Sequence, residues 1–283
     1  MKQIIRFCLN CIIFAVIIIA ISYLCNIVII DKCKHNLPFF GGKEIYNAIK
    51  KSKQKTTHKK LLIGDSVANQ FFDSKLNDST FYSLTCNQAI GVCGHFFLLN
   101  NYLNAGNRPD EVYMIYHPSS FKNNLNQRFT YHYFLKPFYK KEYKPLMSNN
   151  IINQIRTIPF YQYCQFPLII GTAWAPTIHP STEDKSLLSP ISAEYLEKID
   201  SLKTQYRFKL YILPPPVAQS QKKEVENYEK ELLNNSTYQT ILRNYLSSIV
   251  YLPDTCFIDS IHLTTPQRYK DILLKKMEDF KRK

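Results

Sequence analysis

Glycine, tryptophan and acidic side chains are scarce in this chain of 283 residues. It has only 7 glycines and one tryptophan, whereas hydrophobic residues make up 45% and aromatic residues 14%. So little glycine beside so much apolar surface excludes a low-complexity chain and predicts a packed globular body. The length suits one α/β domain of ordinary size with a short anchor and is too small for two full catalytic domains.

The shortage of acidic residues leaves a formal net charge of +14, from 36 Lys and Arg against 22 Asp and Glu. A surface this basic attracts anionic material such as lipid headgroups, acidic envelope polymers or nucleic acid. No zinc finger, RNA-binding motif or basic leucine zipper accompanies the charge. We therefore expect no nucleic-acid partner.

Paired cysteine motifs are also missing. Four of the eight cysteines lie in or beside the apolar N-terminal segment. The other four, Cys86, Cys93, Cys164 and Cys256, do not follow the spacing of zinc ligands. We expect neither a metal nor a cofactor, and the spacing allows a disulfide among these four without indicating a pairing.

The longest apolar run lies at the N-terminus. Polar residues are few over Ile4–Ile30, and this run is long enough to cross the hydrocarbon core of a bilayer. A cleaved signal peptide is the alternative, but the run is too long for a typical apolar signal region and lacks a small-x-small cleavage site. The sequence predicts a transmembrane anchor over residues 1–30, a basic tether over residues 31–58 and a domain over residues 59–283.

A serine follows a strand and a turn at the start of this domain. Residues 60–63 form a short apolar run, Gly64 permits a tight turn, and Asp65 can cap a helix that begins near Ser66. A hydroxyl at a helix N-terminus lies beyond a strand end, where unpaired N–H groups can stabilise developing negative charge. Ser66 is therefore a candidate nucleophile.

An Asp-x-x-His element lies near the other end of the domain. Asp259 and His262 precede a predicted final helix, for which Thr265 is the cap and Pro266 the first residue. Over this spacing the carboxylate can accept the imidazole N–H, which leaves the other ring nitrogen to take the proton of Ser66. The pattern predicts Ser66 as nucleophile, His262 as general base and Asp259 as the residue that orients it.

Taken together, Gly64-Asp65-Ser66 and Asp259-x-x-His262 resemble the first and last blocks of the SGNH (GDSL-like) hydrolases. Their order, their positions at the two ends of the domain and their strand–turn–helix context all agree with that family. The resemblance implies a Ser-His-Asp esterase or O-acyltransferase. It also implies an α/β fold with a doubly wound, mostly parallel, flavodoxin-like sheet, which the alternation of predicted strands and helices supports.

Single-span SGNH-like proteins resemble envelope factors that move or remove acyl groups, as in teichoic-acid D-alanylation or polysaccharide O-acylation. The resemblance implies an acylated envelope polysaccharide or a similar ester as substrate, and the membrane and, in some systems, a membrane-bound acyltransferase as partners. Lysines after the anchor outnumber Lys2 and Arg6 before it, which by itself favours a cytoplasmic domain. Long domains translocate largely regardless of such charges, so we predict a single-pass protein with its domain outside the cytoplasm.

The family's second block matches in part. A predicted strand over residues 80–86 is followed by Asn87 and Gly91, in the loop where the family supplies an oxyanion-hole glycine. We predict the backbone of Gly91, or of Ala89, as a donor, with the side chain of Asn87 as a second donor. An asparagine after a strand is more often only a turn former.

The asparagine of the family's third block is missing. After the predicted strand over residues 111–116 the chain has His117 and Ser119 at the corresponding turn. Either Asn87, Ser119 or His117 replaces the missing donor, or the oxyanion hole consists of backbone donors alone. A buried core or rim position is the alternative for His117.

Residues 121–190 form a stretch too long for a simple connection, and we predict an insertion that caps the site. Aromatic and basic residues interleave in it, a composition that suits a sugar polymer or a bilayer surface. The alternative is a small helical subdomain with its own core.

A non-catalytic, membrane-tethered SGNH-like binding or assembly module is the second functional hypothesis. The missing asparagine favours this module, whereas the presence of all three triad residues favours the enzyme. Hydrolysis and acyl transfer differ only in whether water or a sugar hydroxyl attacks the acyl-enzyme, and the sequence does not distinguish them.

Overall fold

The computed structural model describes residues 2–25, 42–76, 78–127, 129–165, 187–232, 235–242 and 244–282 of an α/β protein. The helices are α1 Lys2–Cys25, α2 Lys43–Ser52, α3 Ser66–Phe71, α4 Gly91–Asn104, α5 Lys136–Phe138, α6 Asn149–Arg156, α7 Pro190–Tyr206, α8 Lys222–Leu232, α9 Ser236–Ile241 and α10 Lys270–Arg282. The strands are β1 Lys60–Gly64, β2 Phe81–Ser83, β3 Glu111–Ile115, β4 Lys209–Leu213, β5 Val217–Ala218 and β6 Tyr251–Leu252.

The N-terminal helix α1 is apolar and does not pack into the domain. Its segment Lys2–Leu24 has a mean hydropathy of 2.8 and 0% of it is buried against the domain. A helix of this length rises about 35 Å, enough to cross a bilayer. The last residues of the predicted anchor and the first part of the predicted tether, residues 26–41, lie outside the described residues.

Four parallel strands form the main sheet in the order β2-β1-β3-β4. Gly64 pairs with Ile115, so β1 and β3 end side by side. A Cβ atom on Gly64 would lie 2.4 Å from the Ile115 carbonyl oxygen, and only glycine permits this approach. The chain therefore leaves β1 at the carboxyl edge of the sheet, directly beside the end of β3.

Both faces of this sheet are covered by hydrophobic side chains. Leu61 and Ile63 of β1 join one buried cluster with residues of α2, α4 and α7. Leu62 points to the opposite face and joins a second cluster with α3 and α10. This alternation follows from the period of two along a strand.

The described part of the predicted insertion packs into the domain core. Phe121, Phe134 and Phe138 are fully buried and belong to the same cluster as β1 and α4. Phe97 of α4 lies 5.5 Å from the Phe138 ring centroid. Residues 166–186 of the insertion lie outside the described residues.

The structure corrects one local expectation, the start of the final helix, and decides the open question of a disulfide. Thr265 stands at the N-cap position but makes no side-chain capping bond, and Pro266 opens a 3₁₀ turn, so that α10 begins only at Lys270. The four domain cysteines are free thiols, so no disulfide forms among them. The burial of Cys86 and Cys93 is typical of cysteines that serve as small apolar residues.

Candidate active site

The structure brings the two ends of the domain together at the carboxyl edge of the sheet. Ser66 Oγ lies 2.8 Å from His262 Nε2, across 196 residues of sequence. His262 Nδ1 lies 2.8 Å from Asp259 Oδ2 and 3.1 Å from Asp259 Oδ1. The predicted nucleophile, base and orienting carboxylate therefore form a continuous hydrogen-bonded chain.

The serine turn, residues 64–66, is held in place by the buried carboxylate of Asp65. One carboxylate oxygen accepts from the N–H groups of Val67 (2.9 Å) and Ala68 (3.2 Å) and so caps α3, as predicted. The other accepts from the N–H of His117 and the hydroxyl of Ser120, each at 2.6 Å. Asp65 thus accepts two bonds from its own helix and two that join the serine turn to the loop that follows β3.

Burial raises the pKa of Asp65, and the bonds from Ser120 and the backbone N–H groups act in the opposite direction. All four partners donate, which is the arrangement that a carboxylate accepts. Asp65 therefore positions the hydroxyl of its neighbour without taking part in the hydrogen-bonded chain of the triad.

The histidine hairpin, residues 257–263, presents His262 to Ser66. Phe257 and Leu263 form an antiparallel bridge and are both buried. Ser260 takes a positive φ of 62° at the tip, and Asp259 Oδ1 accepts from the backbone N–H of His262 at 2.7 Å. The same carboxylate therefore shapes the hairpin and binds the ring that the hairpin carries.

Gln70 is a site residue that the sequence analysis missed. Its side-chain oxygen accepts from the N–H of Leu263 (3.0 Å) and its amide nitrogen donates to the Leu263 carbonyl (3.1 Å). It lies four residues after Ser66 on the same helix, so one helical face carries both the hydroxyl and the clamp on the hairpin. The i, i+4 spacing from the serine was the only sequence signal that could have indicated this role.

The hairpin side of the site is open to solvent. The Asp259 side chain is 55% exposed and that of His262 is 29% exposed. Slight burial raises the pKa of Asp259, but the hydrogen bonds from the backbone and ring of His262 lower it more, so that the net pKa lies below its ordinary value. Asp259 is therefore ionised at neutral pH and able to orient the imidazole.

The residues predicted for the oxyanion hole are largely engaged elsewhere. The N–H of Gly91 donates to the Gln88 carbonyl, and the N–H of Ala89 donates to Asn87 Oδ1 at 2.9 Å. Asn87 Oδ1 thus forms the turn of the alternative interpretation. This bond uses the side-chain oxygen and not the amide N–H groups, so the role of Asn87 as an oxyanion donor stays a prediction. The structure gives no support for Gly91 as an oxyanion donor, because its N–H already has an acceptor.

Gly91 has a different structural reason to be glycine. Its φ is 62°, and a Cβ atom there would lie 3.3 Å from Asn123 Nδ2. Its carbonyl lies 2.9 Å from Nδ1 of the buried His95, whose Nε2 lies 2.8 Å from the Gly64 carbonyl. His95 thus connects the loop after β2 to the serine turn, and burial lowers the pKa of its ring to about 4 despite these two carbonyl contacts.

Among the described residues, no cluster of three or more His, Cys, Asp or Glu side chains has the arrangement of a metal site. A comparison of the chain with protein-family models finds no match, and no curated protein is significantly similar to it. The geometry of Ser66, His262 and Asp259 and the sequence motifs that carry them are therefore the observations that bear on function.

Proposed function

We propose that this chain is a membrane-anchored serine esterase or O-acyltransferase of the SGNH type. The observation that carries this proposal is the pair of 2.8 Å contacts that link Ser66 Oγ to His262 Nε2 and His262 Nδ1 to Asp259 Oδ2. A serine hydroxyl is a weak nucleophile until a base removes its proton, and these contacts supply a base in a defined tautomer.

The arrangement supports a two-step acyl transfer. Ser66 Oγ attacks the carbonyl carbon of an ester while its proton passes to His262 Nε2, and a tetrahedral oxyanion forms. His262 then returns the proton to the departing alkoxide oxygen, which leaves as an alcohol and leaves the acyl group on Ser66. In the second step water or an acceptor hydroxyl attacks the acyl carbon while its proton passes to His262. His262 then returns that proton to Ser66 Oγ as the bond between Ser66 and the acyl carbon breaks, which releases the acid or the new ester and restores the free enzyme.

The strand order supports the SGNH assignment. The main sheet has the order 2-1-3-4, which matches the first four positions of the flavodoxin-like order 2-1-3-4-5. In such doubly wound sheets ligands bind beyond the carboxyl ends of the strands, and Ser66 lies at that edge. We propose the flavodoxin-like, doubly wound fold for the domain on this basis.

The substrate that we propose is an acylated envelope polysaccharide or a similar ester outside the cytoplasm. The exposed, apolar helix α1 suits a single-pass anchor, and the net charge of +14 suits contact with anionic envelope material. A membrane-bound acyltransferase would be a fitting donor of acyl groups if transfer is the reaction. A reporter fused after Lys283 tests the orientation, since activity of a cytoplasm-specific reporter would exclude this substrate class.

Labelling with a fluorophosphonate tests the enzymatic proposal. We expect the detergent-solubilised full chain to be labelled, Ser66→Ala and His262→Ala to be unlabelled, and Ser201→Ala, which removes an exposed hydroxyl on α7, to be labelled like the wild type. A folded wild-type protein that is neither labelled nor active on p-nitrophenyl acetate would instead support the non-catalytic binding module.

A further inference from the structure

His117 places a buried, unpaired ring nitrogen beside the candidate active site. The residue is 2% exposed, and its Nε2 atom has no hydrogen-bond partner among the described residues. A buried polar atom left without a partner costs about 1–3 kcal/mol. Such a cost points to a partner that is absent from the free protein.

The other ring nitrogen shows which atom carries the proton. His117 Nδ1 accepts from the backbone N–H of Ser119 at 3.3 Å and lies 2.7 Å from the Ser119 hydroxyl. A backbone N–H can only donate, so Nδ1 is an acceptor, and the proton of the neutral ring is on Nε2. The unpaired atom is therefore a hydrogen-bond donor.

The position of His117 brings this donor to the triad. Its backbone N–H donates to Asp65, the residue directly before Ser66, at 2.6 Å. Burial is the main influence on the pKa of the ring, and the charges of His262 and Asp259 act on it as well. His117 is thus held against the serine turn and lies near enough to the histidine hairpin for the charges of His262 and Asp259 to act on its ring.

The ring remains a neutral donor at physiological pH. Burial lowers the pKa of His117 to about 4, so the ring carries a single proton at pH 7. Gln221, whose amide donates to the Ser260 carbonyl at 3.1 Å, lies against the ring without meeting hydrogen-bond geometry at Nε2. Gln221 is partly exposed, so the side chain that borders the donor can move aside for a substrate oxygen.

We propose that the Nε2–H of His117 binds the carbonyl oxygen of the acyl group as negative charge develops on it during attack by Ser66. This inference rests on the proposed function and identifies the donor that takes the place of the missing asparagine amide. No proton is transferred to the oxygen: the proton of Ser66 passes to His262, and His117 keeps its own. The engaged N–H groups of Gly91 and Ala89 leave this role open.

A matched set of substitutions tests the role of His117. Turnover of p-nitrophenyl acetate by the full chain should fall about 10²–10³-fold in His117→Leu, with KM changed by less than about threefold. His117→Gln, whose side-chain amide can place an N–H where the Nε2–H of His117 lies, should recover turnover to within about tenfold of the wild type. His58→Gln, at the opposite end of β1, should leave turnover unchanged.

A second readout separates catalysis from structure. Because His117 is neutral, removing it should leave the midpoint of the acid limb of kcat/KM in place, whereas a displaced His262 would shift that midpoint. Wild-type turnover in His117→Leu, or equal losses in the leucine and glutamine variants, would overturn the inference. A wild type that is neither labelled by fluorophosphonate nor active would overturn the proposed function and this inference together, and it would do so before any His117 variant is compared.

Discussion

Two aspartates flank the candidate site, and they lie in opposite environments. Asp65, on the serine turn, is 0% exposed and accepts four hydrogen bonds. Asp259, on the histidine hairpin, has a side chain that is 55% exposed and receives its bonds from its own hairpin. One half of the site is positioned by the core of the domain, and the other by a local turn and a clamp.

This difference in burial predicts that Asp65 contributes mainly to the stability of the fold and Asp259 mainly to catalysis. A buried carboxylate with several donors is costly to replace, because each donor left without an acceptor keeps its desolvation penalty. An exposed carboxylate contributes little to stability, yet it can still orient a general base. The same substitution at the two positions should therefore have opposite consequences.

The largest effect that we expect is on turnover by Asp259→Asn. The amide oxygen can still accept from the hairpin N–H groups, but the charge that stabilises the protonated ring of His262 is lost, so kcat should fall ~10³–10⁴-fold. The melting temperature should stay close to that of the wild type. Steady-state kinetics and thermal unfolding of the solubilised chain measure both, and a large loss of stability would contradict the comparison.

Asp65→Asn should instead act mainly on the stability of the fold. The asparagine amide would face the N–H of His117, so that two donors meet in a buried site, and unfolding should become easier by about 3 kcal/mol. Thermal or denaturant unfolding measures this loss. Asp110→Asn, at an exposed carboxylate whose nearest lysine lies 3.8 Å away, is the matched control and should be neutral. Equal stability of the two variants would refute the role of Asp65.

Gln70→Ala should lower turnover, but by less than Asp259→Asn does. Without the clamp on Leu263 the hairpin can shift relative to Ser66, and misplacement of this kind lowers turnover by about 10–100-fold. Gln70→Glu keeps the acceptor for the Leu263 N–H and should recover part of the loss. Gln154→Ala, on the exposed side of α6, serves as the control; turnover in Gln70→Ala equal to that of this control would show that the clamp is not needed.

The smallest effect that we expect is a loss of stability on acidification, and it should come from the buried histidines, His95 and His117. His95 and His117 both have a pKa lowered to about 4 by burial, so the folded state resists protons that the unfolded chain takes up. Stability should fall as the pH drops from the ordinary histidine pKa towards 4, by about 1 kcal/mol per histidine at pH 5.5 relative to pH 8.

The carboxylate of Asp259 has a lowered pKa, so its contribution is present above the ordinary Asp pKa and is lost only at lower pH. Unfolding curves of the wild type, His95→Phe and His117→Leu across this pH range measure these contributions. A pH dependence that the two histidine variants leave unchanged would assign the acid sensitivity to other groups.

The sequence predicted those features of the site that depend on residues close together in the chain. The cap by Asp65, the helix from Ser66 and the Asp-x-x-His turn all follow from short-range chemistry, and short apolar runs indicated the central strands. Their meeting depends on the parallel register that sets Gly64 beside Ile115, which strand alternation indicated only in outline.

Contacts between distant segments could not be predicted in the same way. The clamp from Gln70 to Leu263 spans 193 residues, and the bond from Asp65 to His117 spans 52. Gln70 belongs to no motif, and His117 was only one of three candidates for the missing donor. The engagement of Gly91 by Gln88 depends on a 3₁₀ turn that periodicity does not indicate. The partners in these contacts were therefore the least predictable part of the site.

The most direct test of the triad is to identify the residue modified by a fluorophosphonate, by peptide mass spectrometry of the full chain. The account predicts one phosphonate adduct, on Ser66, in the wild type, and none in His262→Gln, whose ring nitrogen is missing. An adduct on another serine, or equal modification of Ser66 in His262→Gln, would contradict it, because the hydroxyl would then react without the imidazole 2.8 Å away.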